Sequence, residues 1–134
     1  MGRTVLAVIA GLLAMAVVVF AVEALGHRLY PLPPGIDLDD PASVQSMVDA
    51  MPLAAKLLVV LGWALGSFVG AHIAVRLTPA HRRGAALSIG VAMVVLVAIN
   101  ASMIPHPLWM TALGLLLPIP LALSALRMAG RARA

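Results

Sequence analysis

The sequence predicts an all-α integral membrane protein: a four-transmembrane-helix bundle with both termini cytoplasmic and a short outer interfacial helix. Three observations lead there. Of the 134 residues, 63% are hydrophobic and only 10% charged, whereas a soluble domain carries roughly 25% charged and about 45–50% apolar residues. Mean hydropathy is +1.08, more apolar surface than a water-soluble fold of this size can bury. The apolar residues also gather into four runs of the length that a hydrocarbon layer about 30 Å thick demands, about 20 residues of helix. The chain reads as one transmembrane domain over residues 1–134, with spans at about 4–28, 52–77, 84–104 and 107–128.

The first run, Thr4 to Val22, contains no charge. Val19-Phe20-Ala21 has the small-residue character of a signal-peptide cleavage site, but the run is long for a signal h-region and is expected to be a retained span. Tyr30 to Met51 forms the longest polar stretch. It opens on Pro31-Leu32-Pro33-Pro34-Gly35, where three prolines and a glycine exclude helix. Asp40-Pro41 then reads as the N-cap and first position of a short helix over 41–50. Val44, Met47, Val48 and Met51 recur at helical spacing and give it one apolar stripe, suited to lying on the interface or covering the bundle. The second run, Leu53 to Val75, is broken only by Lys56 near its start and His72 near its end. Spans three and four, Ala85 to Ile104 and Leu108 to Leu126, are joined by Pro105-His106-Pro107, a linker short enough to force an antiparallel helical hairpin.

Orientation follows from the arginines. With the N-terminus inside, Arg3, Arg76, Arg82, Arg83, Arg127, Arg131 and Arg133 share one face, and only Arg28 and Lys56 share the other. The positive-inside rule makes the first face cytoplasmic, so the expected location is a bacterial-type inner membrane, crossed four times. Those arginines would meet anionic lipid headgroups. The net charge of +4 does not indicate nucleic acid, because the basic residues end apolar runs and form no stripe interleaved with aromatics. With no cysteine there is no disulfide framework, thiolate metal site or cysteine nucleophile. No Gly-rich phosphate loop, nucleophile elbow or HExxH motif is present. The size, four spans and first-span glutamate are similar to the small multidrug exporters, but their proton-for-cation exchange needs the carboxylate in mid-membrane. Counted from Arg3 at the helical rise, Glu23 lies about 30 Å along span one, at the outer edge.

Glu23 and His27 are one helical turn apart and share a face. His106 occupies the outer tip of the hairpin between two prolines, and Asn100 lies about 6–9 Å deeper on span three. These four residues therefore occupy one slab near the outer surface. Two imidazoles and a carboxylate are a ligand set suited to Zn²⁺, which makes Glu23, His27 and His106 the candidate metal ligands and Glu23, Asn100 and His106 the candidate ligand pathway. The plainer reading pairs Glu23 with His27 or Arg28 at a solvated boundary, with His106 capping a turn. His72 lies about 30 Å from the outer start of span two by the same rise and groups with Arg76 and His81. Gly62, Gly66 and Gly70 recur every four residues on span two, the spacing that lets helix backbones approach closely in lipid. Pro118 and Pro120 interrupt the ladder of span four and kink or loosen it.

These residues point first to a non-enzymatic membrane protein working through helix packing, by self-association or as a subunit with another membrane protein. The second reading is a small transporter or channel whose outward-facing Glu/His site is metal- or proton-linked.

Overall fold

The structure, a computed structural model, describes residues 2–78 and 80–131. Its elements are α1 (Gly2–Leu29), α2 (Pro41–Ala50), α3 (Leu53–Leu77), α4 (Arg82–Met103), α5 (Leu108–Leu116) and α6 (Pro118–Arg131). By length and composition, α1, α3, α4 and the continuous rod Leu108–Ala129 can each cross a membrane.

α5 and α6 form that rod. Leu117 between them keeps right-handed helical angles, its N–H donates to the Leu113 carbonyl, and its own carbonyl accepts from the Leu121 N–H. The ladder breaks only where Pro118 and Pro120 lack the N–H that the carbonyls of Gly114 and Leu116 would receive. The fully buried Ser67 of α3 donates to the Pro118 carbonyl at 2.8 Å, tying the break to a neighbouring helix. α2 begins where the Asp-Pro signal places it: the Asp40 carboxylate accepts from the N–H groups of Ala42 and Ser43. The α3–α4 turn uses His81 at φ +57°, a left-handed conformation that histidine tolerates better than most side chains.

α3 is the hub. It packs against α1, α4, α5 and α6, while α1 leans almost wholly on α3 and touches α4 lightly. α1 and α3 run antiparallel, as their glycine contacts show, while α3 and the α5–α6 rod run parallel, Trp63 meeting Gly114 and Ser67 meeting Pro118. A Cβ on Gly11 would lie 2.6 Å from the Gly70 carbonyl oxygen, and one on Gly66 would lie 2.8 Å from Val19. Ile89 and Met93 of α4 reach the same glycines, Gly70 and Gly66, and with Val97 are buried against Ala122 and Ala125 of α6. Small residues at these crossings bring backbones within dispersion range, and that contact holds helices together where lipid supplies no hydrophobic drive.

The structure shows which helix the glycine stripe meets. Gly62, Gly66 and Gly70 face α1 of the same chain, so their close packing is used within the molecule and offers no argument for self-association. Gly11, Gly90 and Gly114 do the same work from the partner helices.

Arg3, Arg76, Arg82, Arg83 and Arg127 fall at one end of the bundle, where the hydroxyls of Thr4 and Thr78 hydrogen-bond at 3.0 Å. Arg133 and the side chain of Arg131 lie outside the described residues. The opposite end carries the loop of residues 30–40 and α2.

Candidate functional site

At the loop end, the last turns of α1 and α4, the first turn of α3 and the α4–α5 hairpin tip surround a cavity of about 400 Å³. Glu23, His27, Lys56, Asn100 and His106 supply its polar walls, and Met47, Val48 and Met51 belong to the α2 side. α2 is therefore a lid. Its apolar stripe turns inward, leaving Val44 and Val48 buried, while Gln45 and Asp49 on the far face bond each other across one turn.

Glu23 reaches this place because α1 runs uninterrupted from the arginine end. One turn further on, His27 Nδ1 lies 2.8 Å from the Glu23 main-chain oxygen. A carbonyl only accepts, so Nδ1 carries the proton and Nε2 presents a lone pair. His106 is fixed similarly: its Nδ1 donates to the Ile104 carbonyl at 2.7 Å, and its ring meets Trp63 edge-on with centroids 5.8 Å apart. The flanking prolines hold the backbone and Trp63 holds the ring. The side chains of Glu23 and Asn100 make no hydrogen bond or ion pair among the described residues, which leaves a carboxylate and an amide free to meet a ligand.

The structure thus brings Glu23, His27, Asn100 and His106 around one cavity but does not assemble a metal centre from them. Among the described residues no group of three His, Cys, Asp or Glu side chains is arranged to hold a metal ion. Glu23, His27 and His106, the residues expected to hold Zn²⁺, form no such group among the described residues. Each imidazole donates through Nδ1 to a local carbonyl, which fixes its tautomer and ring orientation. Two wall residues were missed. Lys56 stood out as the break at the start of the second run yet reads as an anchor, although its depth matches the slab. Trp63 is one apolar residue in an apolar run, and nothing in that run marks it.

A second cavity, of about 470 Å³, lies against the first. Met15, Ala16, Val19 and Phe20 of α1 and Met93, Leu96, Ile99 and Met103 of α4 line it, with Trp63 behind. Glu23, Asn100 and Ile104 border both spaces. His72 takes no part: it stacks on Phe68 with centroids 6.2 Å apart, and its Nδ1 is buried without a hydrogen-bond partner.

Burial pushes the His106 pKa below its ordinary value of 6.5, and the Ile104 carbonyl offsets this in part. The folded protein thus favours neutral His106. The stability this confers is present above about pH 6.5 and is lost as pH falls toward and through the lowered folded value, because the unfolded chain takes up the proton more readily. Glu23, His27 and Lys56 face the same cavity and are present in both the wild type and the His106→Phe variant. Melting temperature measured from pH 8 to pH 5 is expected to fall less steeply for His106→Phe than for the wild type. Superimposable curves would remove His106 as a source of the acid sensitivity.

Compared with known proteins, the chain matches no family model, no curated protein and no solved structure.

Proposed function

We propose that the chain is a small multi-pass protein of a bacterial-type inner membrane, with both termini cytoplasmic, that receives a ligand in the covered cavity at its outer end. It is of binding or transport type rather than catalytic. The supporting observation is that side chains of both charge signs, two imidazoles and an unpartnered amide, drawn from α1, α3, α4 and the hairpin tip, line one space beneath a helical lid. A carboxylate at such a depth would be idle if packing alone were its purpose, since ionisable groups near a span mark ligand and ion pathways more often than structure. Below the cavity the bundle is shut by Met93, Val97 and Ile89, so the outer site is a receiving station and not an open pore. The arginines opposite orient it. The packing reading, as a homo-oligomer or subunit of a larger assembly, draws its support from the outer face of α1, where Leu6, Leu13, Val17 and Phe20 are exposed.

The lack of native cysteine makes labelling clean. Cysteine at Asp37 or Asp40 is expected to react with an impermeant thiol reagent added from outside the cell, and cysteine at His81 is not. Asn100→Cys is expected to label from the same side and Met93→Cys, deeper on the same helix, to stay protected. An inverted pattern at Asp37 and His81 overturns the orientation. Protection of Asn100→Cys overturns the receiving cavity.

A further inference from the structure

The covered cavity has a side door. Its neighbour of about 470 Å³ lies between α1 and α4, the two helices that touch only lightly because α1 leans on α3. The mouth of this cleft is formed by Phe20, Leu96, Ile99 and Met103, which are 70%, 52%, 51% and 75% exposed; in a bilayer that exposure is to acyl chains. Its floor is the buried trio Met15, Trp63 and Met93. Polar atoms enter only at the upper end, where Glu23 and Asn100 are shared with the cavity above. An apolar slot open to lipid thus runs into a polar chamber containing one anionic side chain and one cationic one, Glu23 and Lys56.

We infer that the two spaces form a single site for a zwitterionic amphiphile, a lipid with an ammonium-phosphate head, whose tail enters between α1 and α4 and whose head rests under α2. This rests on the outer cavity being a ligand site and adds the class of ligand. The division of surface carries it. The volumes of both spaces fall in the range of about 300–1,000 Å³ typical of ligand sites, but Lys56 lines only the upper one and Glu23 meets the cleft only where the two join. A purely water-soluble ligand leaves the cleft unused, and a purely apolar one leaves Glu23, Asn100 and Lys56 desolvated without partners, which is unfavourable. The head chemistry follows from the walls. The Glu23 carboxylate accepts from an ammonium; the Lys56 ammonium, with the Asn100 amide, donates to a phosphate. A head with a phosphate alone would face Glu23 with nothing to offer it.

The test uses the full chain in detergent micelles with phosphatidylethanolamine, the same-chain phosphatidylglycerol and free phosphoethanolamine as probes, and occupancy read by native mass spectrometry. The wild type is expected to bind phosphatidylethanolamine about tenfold or more tightly than phosphatidylglycerol, the scale of one charge-assisted hydrogen bond. Glu23→Gln is expected to erase most of that preference. Ala16→Phe, which fills the cleft without touching the polar chamber, is expected to weaken the lipid about tenfold and leave phosphoethanolamine unchanged, while Leu13→Phe on the lipid-facing side of α1 changes neither. If phosphoethanolamine binds the wild type as tightly as the lipid, or Ala16→Phe leaves lipid affinity intact, the tail cleft is wrong while the outer cavity stands as a ligand site. If the wild type binds none of the probes above its level for a neutral detergent, this inference fails, and the accessibility of Asn100→Cys decides separately whether the outer cavity stands.

Discussion

Gly70→Leu is expected to separate α1 from α3 and lower the melting temperature sharply. A Cβ at Gly70 would stand 2.7 Å from the Gly11 carbonyl oxygen and 2.8 Å from the Met15 Cβ. The obstacle is partly backbone, which cannot rotate away. Overpacking a well-filled site costs about 1–3 kcal/mol and occasionally more, and a clash with backbone belongs at the upper end. The stripe should be graded along its length. At Gly66 the nearest atom is the Val19 side chain at 2.8 Å, and at Gly62 it is Val22 at 3.4 Å, an ordinary contact. Gly62→Ala should therefore be neutral or slightly stabilising, since alanine exceeds glycine in helix propensity by about 1 kcal/mol. A set of melting curves in one detergent checks the order Gly70, Gly66, Gly62. Equal tolerance at all three would mean that α1 does not dock on α3 through these residues.

Trp63→Ala is the second large effect, at about 3–5 kcal/mol for removing a buried tryptophan. Trp63 is 4% exposed, its six-membered ring fills the space left by the missing side chain of Gly114, and its edge contact orients His106. The loss should appear in two readouts. Stability drops, and the acid sensitivity attributed to His106 diminishes as the ring gains access to water. Trp63→Phe retains part of the apolar contact and should lose less on both counts. If Trp63→Ala matches the wild type in melting temperature, Trp63 is not a core residue of the bundle.

The origin of these contacts decides what the sequence could show. Runs of apolar residues announce their own length, and Asp40-Pro41 announces a helix start, because both signals are local: the first depends on a fixed rise per residue, the second on one side chain and the amides just beyond it. Depth is local too, which is why counting along the helices places Glu23, His27, Asn100 and His106 in one slab. Azimuth is not local. Gly11 meets Gly70, and Ser67 meets Pro118, because of the order in which helices pack, and no period within one helix records that order. Gly11, Gly90 and Gly114 each lack a glycine four residues away on their own helix, so their close contacts were invisible while those of Gly62, Gly66 and Gly70 were legible. The orientation of the imidazoles was hidden for a similar reason: their anchoring carbonyls, at Glu23 and Ile104, are backbone groups that carry no residue-type signal.

The lean of α1 on α3 has a consequence for the order in which this protein acquires its parts. Of the four long helices, the two that come earlier in the sequence are the ones that clasp each other, and each is long and apolar enough to form an independent span before they meet. A nascent chain that has reached only the end of α3 already owns the glycine clasp, Glu23, His27 and Lys56. It owns only the α1 wall of the cleft and Trp63 behind it, with no α4 wall, no Asn100 and no His106. On the proposed reading, recognition is the last property to mature, arriving only when α4 and the hairpin tip close the cavity against α1. An intermediate stalled before that step would hold the glycine clasp without a complete cavity.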